Sequence, residues 1–378
     1  MKIDFIDSIN DISAIDWQRL NTTSSPFLTY DFFKAIEVSG SASKAKGWQP
    51  HHMQISDNTN VEAILPLYIK HNSWGEYVFD WAWAEAYQNN GLPYYPKLVG
   101  TLPFTPVTSD KLISTTFSYN DAFALLSGHC QQHSFHSWHI LFFPRVKEIP
   151  DDVYLRHTVQ FHWFNRNYYD FEDFISTFTS RKRKNTRKER LSIAEQGISI
   201  RQIKGVDITP KDLTFFYLTY QLTYLKKGHQ PHLSIQFFQN IIASMADNIL
   251  LIIASNQDED LACSWFFYDN EQLYGRYWGC TQYVNNLHFE LCYYQGIEFC
   301  IKHKLGSFNP GTQGEHKIQR GFEPILTNSY HWVQHPSFRN AVKDFCQQER
   351  QQTKNYLSQC KQALPYKNFE ELLSRSTV

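Results

Sequence analysis

An α/β fold in two domains follows from three observations: chain length, the alternation of strand-like and helix-like segments, and a loose likeness between the two halves. At 378 residues the chain has room for two domains of about 150 residues each. Each half carries a hairpin followed by an aromatic-rich stretch, residues 77–87 in one and 273–283 in the other, which points to a duplicated α/β unit. The expected layout is a first domain over residues 1–150, a second over 151–340 and a peripheral helical tail over 341–378.

The elements follow in order. A strand over residues 2–9 precedes a helix over 25–38, where Pro26 stands at a position that helix starts tolerate. Strands over 48–55 and 61–70 are joined by a polar turn at 56–60. Residues 76–108 form a Trp-, Tyr- and Pro-rich segment, and a helix over 120–132 and a strand over 138–143 close this half. Pro144 and Pro150 mark the boundary. The second half reads as a strand over 160–164, a strongly basic helix over 171–196 and a strand over 198–203. Helices over 211–226 and 237–245 follow. Residues 249–254 are an unbroken apolar run, as expected of a fully buried strand. Residues 261–268 and 272–278 pair as a hairpin. A helix from Asn285 and Asn286 to about Lys304 then leads into a short strand and a glycine loop.

Composition excludes several functions. A net charge of −1 provides no global field for nucleic acid or an anionic membrane. No apolar run approaches the roughly 20 residues of a membrane span, and the amino terminus alternates like a strand, unlike a signal peptide. The seven cysteines are scattered without a Cys-x-x-Cys pair, which reads as reduced thiols and a cytoplasmic setting. His129, His133, His136 and His139 cluster in sequence, but no carboxylate stands in register with them, so no metal site is expected. A Gly-x-Ser-x-Gly elbow is absent.

Chemistry concentrates between residues 273 and 324. Glu290 heads an apolar helical stripe with Tyr294, Ile297 and Ile301, in a first turn where the dipole favours its ionised form. His288, Cys292 and Gln295 form the adjacent stripe. Glu290 and His288 read either as dipole partners on an ordinary helix or as a cleft-facing acid/base pair. The loop Gly311-Thr312-Gln313-Gly314-Glu315-His316-Lys317 lets the backbone approach a ligand, and offers a base, an imidazole and a cation within one turn of chain. Its plainer reading is a charged surface turn. Arg181, Lys182, Arg183, Lys184, Arg187, Lys188 and Arg190 are either a solvated helix end or an anion-binding arm, tRNA being one possible partner.

The segments Leu273-Tyr274-Gly275-Arg276-Tyr277-Trp278-Gly279-Cys280, Leu287-His288-Phe289-Glu290, Gln313-Gly314-Glu315-His316-Lys317 and Arg320-Gly321-Phe322 resemble the FemAB-like N-acyltransferases, of the GNAT acyl-CoA N-acyltransferase superfamily. Asp80-Trp81, Tyr94-Tyr95-Pro96-Lys97 and Pro103-Phe104-Thr105-Pro106 in the first half are similar to that family as well. The resemblance implies two tandem GNAT-like domains with mixed sheets flanked by helices. It also implies transfer of an acyl or aminoacyl group to an amine of a cell-wall precursor, peptide or small molecule. On this reading Glu290 is the base, with His288, Glu315 and His316 as further catalytic candidates. Arg276, Tyr277, Trp278, Gln295, Asp80, Trp81, Tyr95 and Lys97 bind substrate. Gly311, Gln313, Gly314, Lys317 and Arg320 hold the donor's anionic group. No tightly bound cofactor is implied. The co-substrate is acyl-CoA or aminoacyl-tRNA. Residues 279–286 contain one glycine and lack the Gln/Arg-x-x-Gly-x-Gly/Ala loop that usually grips CoA pyrophosphate, and the long coiled-coil arm of Fem-type transferases is missing. A non-catalytic module that binds peptidoglycan fragments or a protein is the alternative.

Overall fold

The computed structural model describes residues 1–57, 60–257 and 259–374. They form two compact units, each assembled from separated stretches of chain: residues 1–159, 232–237 and 326–356, and residues 160–231, 238–325 and 357–378. Part of the turn expected at 56–60 lies outside the described residues.

The strands in chain order are β1 (Lys2–Ile6), β2 (Gln49–Pro50), β3 (His52–Ser56), β4 (Val61–Leu65), β5 (Tyr68–Lys70), β6 (Lys97–Gly100), β7 (Ile113–Ser114) and β8 (Ser137–Phe143), then β9 (Tyr154–Phe164), β10 (Ile198–Lys204), β11 (Ile249–Asn256), β12 (Glu259–Tyr268), β13 (Gln272–Cys280), β14 (Ser307–Asn309) and β15 (Glu323–Val333). In the first unit, β1, β3, β4 and β7 make one antiparallel sheet. Strands β2, β5, β6, β8 and the end of β15 make another, in which β6 and β8 run parallel. Every residue of β8 is buried, which matches its unbroken apolar sequence. Leu126, Cys130, Trp138, Ile140 and Tyr330 belong to the core between this sheet and the helix Tyr119–Gln132.

In the second unit β10, β11, β12 and β13 form an antiparallel meander, β14 adds parallel to β13, and the end of β9 pairs with β14. The first six residues of β11 are buried, as its apolar run requires. Strand β10, at the edge, is buried only at Ile198, and its other residues are half-buried or exposed. The helix Pro210–Leu225 starts with a capping box between Thr209 and Asp212 and has Pro210 at its first position. It packs on β13 at Gly279, where an added Cβ would lie 2.3 Å from the Thr219 backbone. There the Thr223 hydroxyl donates to the Trp278 carbonyl at 2.8 Å. Phe216, Tyr220, Phe238, Trp265 and Tyr277 form an aromatic cluster behind it. Burying each such ring is worth about 1.5–3 kcal/mol.

Several elements differ from the reading of the sequence. The strands expected over 48–55 and 61–70 each break in two, β2 with β3 and β4 with β5, and the halves join different sheets. The helix expected over 25–38 is a 3-10 turn, Pro26–Leu28, followed by the α-helix Tyr30–Val38. The basic helix breaks in two, Phe171–Ser176 and Ser180–Glu195, with the Thr179 amide donating to the Pro365 carbonyl. The helix expected over 285–304 starts as Leu287–Phe289, passes through a π-helical turn over Glu290–Tyr294 and continues as Gln295–His303. Of the peripheral tail expected over 341–378, the described residues 341–374 are shared between the two units. Val342 and Cys346 are buried in the first, Cys360, Tyr366 and Leu372 in the second. Their apolar positions recur too sparsely along a polar segment to signal burial. Among the described residues no helix is long and apolar enough to cross a membrane.

A candidate active site in the second unit

Strand β13 stays in register with β14 only from Gln272 to Tyr274. From Gly275 onward the two parallel strands diverge, and the chain leaving β14 becomes the glycine loop. A crevice opens where parallel strands part at their carboxyl ends. Here it is a cavity of about 410 Å³, lined by Ser264–Phe266 of β12, Gly275–Trp278 of β13, His288, Cys292 and Tyr293 of the helical segment, and Pro310, Thr312, Gln313, Gly314, His316 and Lys317 of the loop.

The loop is shaped for the lysine at its end. Gly311, Gln313 and Gly314 have φ values of 89°, 61° and 90°, a region that glycine adopts without strain. The Gly311 amide donates to Asn309 Oδ1 at 2.9 Å, which turns its own carbonyl to accept from Lys317 Nζ at 2.7 Å. Nζ also donates to the Thr312 carbonyl at 3.2 Å. Lys317 is 2% exposed. Burial and the nearby Arg276 guanidinium push its ammonium down to about 7, since each penalises the charged form.

The rest of the lining has the same electrostatic character. Arg276, Lys227 and Lys317 line the cavity, with His288 and His316, and among the described residues no carboxylate does. Burial, then His316, Lys317 and Arg320, push the His288 imidazole down to about 4. His316 is lowered as well, by burial first and then by Arg320 and Lys317, and it shares a 2.7 Å hydrogen bond with the Tyr293 hydroxyl. At neutral pH the cavity therefore combines a fixed guanidinium, a lysine near its midpoint and two neutral imidazoles. Such a set can bind an anionic or carbonyl oxygen and accept a proton. Among the described residues no group of three His, Cys, Asp or Glu side chains could hold a metal ion.

Of the residues singled out from sequence, Arg276, Tyr277, Trp278, His288, Gln313, Gly314, His316 and Lys317 line this cavity together, and Gly311 supplies the carbonyl that holds Lys317. The others lie elsewhere. Glu290 does not face the glycine loop. It lines a separate groove of about 790 Å³ with Gln295, where Arg190 holds both its oxygens at 2.9 and 3.1 Å and Gln295 donates to it at 2.8 Å. Ordinary winding already sets Glu290 about 200° round the helix from His288, and the π-helical turn that follows brings Tyr293 to the His288 side and Gln295 to that of Glu290. Arg320 does not line the cavity either. It donates to Glu189 at 2.8 and 3.2 Å and to the His316 carbonyl at 2.8 Å, and its guanidinium lies 3.4 Å over Phe289. Glu315 is exposed beside the loop.

Asp80, Trp81, Tyr95 and Lys97 belong to the first unit. Lys97 Nζ donates to Asp80 at 2.5 Å, to Glu76 at 2.9 Å and to Ser73 at 2.8 Å, and the Tyr94 hydroxyl donates to Asp80 at 2.6 Å. Tyr95 shares a 2.8 Å hydrogen bond with Ser73. Trp81 is at the surface, edge-on to Trp74. Sequence reasoning missed Tyr293, Thr312, Ser264 and Lys227 as lining residues. Tyr293 is five positions from His288, a spacing that brings two residues to one side only through a π turn, so no 3.6-residue pattern marks it.

The model of the FemAB-like family, described as peptidoglycan biosynthesis/recognition, matches residues 8–368 of the chain. No curated protein sequence matches it significantly. Among solved structures, the crystal structure of FemX is similar at a TM-score of 0.51 with 10% identity, covering 91% of this chain and 100% of that one. The C-terminal domain of a putative lysylphosphatidylglycerol synthetase from Agrobacterium fabrum is similar at 0.51 with 7% identity, covering 89% and 95%. A tandem GNAT protein from the clavulanic acid biosynthesis pathway aligns at 0.45 with 9% identity, covering 89% and 99%. At such identities the likeness to FemX and to the synthetase domain is one of fold alone.

Proposed function

Because the chain belongs to the FemAB-like family, we propose that it transfers an activated acyl or aminoacyl group to an amine, and that the transfer takes place in the cavity around Lys317. The observation that carries this reading is the lysine itself, buried, near neutral titration and in a cavity lined by other cations and no carboxylate.

An acceptor arriving as an ammonium gives one proton to solvent before its nitrogen can attack, and the nitrogen must shed a second as the C–N bond forms. Neutral Lys317 takes that proton, a match of base strength to working pH that general-base catalysis favours. As the new C–N bond forms, the carbonyl oxygen gains negative charge, and the Arg276 guanidinium is the fixed cation available to stabilise it. When the tetrahedral centre collapses, the bond to the ester oxygen or thioester sulfur breaks. Lys317 then returns its proton to that leaving group, so it begins and ends the cycle neutral. The Gly311 and Thr312 carbonyls orient the amine throughout. His288 and His316, uncharged at neutral pH, leave the positive field to Arg276 and Lys317. An anionic part of the donor or acceptor suits the same cations. Peptide amines of peptidoglycan precursors are the acceptors the family description suggests.

The test is transfer by the full-length protein, with aminoacyl-tRNA and acyl-CoA as donors and precursor peptides as acceptors. Wild-type activity should rise as pH passes through about 7, and Lys317→Met should lower turnover by about 10²–10⁴-fold. Lys317→Arg should not rescue, because arginine keeps its proton. Unchanged turnover in Lys317→Met would overturn the assignment.

A further inference from the structure

The larger groove of the second unit, about 790 Å³, contains none of the groups used in the transfer above. Its floor is aliphatic, built by Leu191, Ile193 and Ala194 of the helix Ser180–Glu195 and by Ile198 and Ile200 of the edge strand β10. Leu191 is 56% exposed, although burial at that position would gain free energy. Its rim is basic, and two of the rim cations are already neutralised. Arg187 pairs with Glu172, and Arg190 bridges Glu290 and Glu298. Lys184 and Lys188, one helical turn apart on the rim, have no acidic partner among the described residues, and neither has Arg181 at the start of the same helix. The result is an apolar trough bordered by uncompensated positive charge in a protein of net charge −1.

That pairing of surfaces fits an amphiphile with an anionic head better than a nucleic acid. Single-stranded nucleic acid is gripped by stacking bases on open aromatic faces. The one aromatic in the lining, Phe171, has the Arg190 guanidinium over its ring at 4.4 Å. What remains open is aliphatic, and aliphatic side chains beneath lysines are the pattern of an element lying in a bilayer interface. From this charge complementarity we infer that the groove docks the protein on an anionic lipid bilayer, with Lys184 and Lys188 against lipid phosphates and Leu191 among the first acyl methylenes. The inference is independent of the acyl-transfer reading, since it uses none of the same residues.

The experiment is cosedimentation of the full-length protein with vesicles of phosphatidylcholine alone or mixed with phosphatidylglycerol, beside binding to a single-stranded RNA oligomer. The wild type should sediment with the phosphatidylglycerol vesicles and not with phosphatidylcholine alone, and salt should weaken the association. Lys184→Glu with Lys188→Glu should weaken it by at least about tenfold. Leu191→Ser should weaken it a few-fold while leaving its salt dependence intact. Both substitutions are at exposed positions, and thermal melts like the wild type's would verify folding. Failure of the wild type to sediment with anionic vesicles would overturn the inference, as would variants that sediment as the wild type does. RNA binding tighter than vesicle binding, lost with the lysine pair and indifferent to Leu191, would instead make the rim a nucleic-acid surface and sink the proposal.

Discussion

Lys97 in the first unit and Lys317 in the second are 0% and 2% exposed, yet their ammonium groups are driven in opposite directions. Burial lowers both. At Lys97 the carboxylates of Glu76 and Asp80 outweigh it and raise the ammonium above its ordinary value. At Lys317 no carboxylate among the described residues offsets burial, Arg276 adds to its effect, and the ammonium is pushed down to about 7. Burial alone therefore says little about what a lysine does. Lys97 is the cation of a closed ionic network, and Lys317 is an amine ready to exchange a proton.

The sharpest break would come from removing each amine in turn. Lys317→Met should abolish most turnover, by the 10²–10⁴-fold given above, while the urea midpoint stays near the wild type's. Methionine of similar length fills the space of a buried lysine that has no acid to leave behind. Lys97→Met should do the reverse. It strands two carboxylates 2% and 3% exposed, and breaking a buried pair in this way costs about 3–5 kcal/mol, read as a lower urea midpoint. A Lys97→Met protein as stable as the wild type would dissolve the contrast.

Glu290→Gln sharpens it next. Arg190 keeps Glu298 as a partner after the change, so the loss should be about 1–3 kcal/mol with transfer activity within a few-fold of wild type. A large activity loss at wild-type stability would return the base to Glu290.

The contrast extends to the pH dependence of stability, as a slope spread over several pH units. Between about 7 and the ordinary value of 10.5, the unfolded chain binds a proton at Lys317 that the folded protein does not, so this residue makes stability rise with pH over that window. The slope is at most about 1.4 kcal/mol per pH unit. Lys97, raised in the folded state, contributes stability that is fully present below 10.5 and lost as pH climbs through its higher folded value. Urea midpoints of wild type and Lys317→Met across this range should differ by the first slope. Identical profiles would mean that Lys317 does not titrate there.

The fold class and half of the site were legible in the sequence for physical reasons. Strand β11 declares itself by an apolar run and the glycine loop by Gly311 and Gly314 beside Lys317. A chain that diverges after β14 has to line the crevice it opens. What could not be read depends on partners distant in sequence. Arg320 looked like a free anion anchor until Glu189, 131 residues earlier, was found holding it. Glu290 looked like a base until Arg190, 100 residues earlier, claimed both its oxygens. Periodicity placed His288, Cys292 and Gln295 on one stripe, and only the π turn separates Gln295 from the other two. The split of the 341–378 segment between two units leaves no local signature either.

That helical segment also acts as an insulator. Within six residues its ordinary winding sends Glu290 to Arg190 and its π turn brings Tyr293 round beside His288, so the lysine's cavity receives a phenol and an imidazole while the carboxylate stays in the other groove. Deleting one residue between Glu290 and Tyr294 would restore the ordinary winding and swing the helix Gln295–His303 by about 100°. The segment cannot be shortened by even a single residue without turning Gln295 away from the carboxylate it holds.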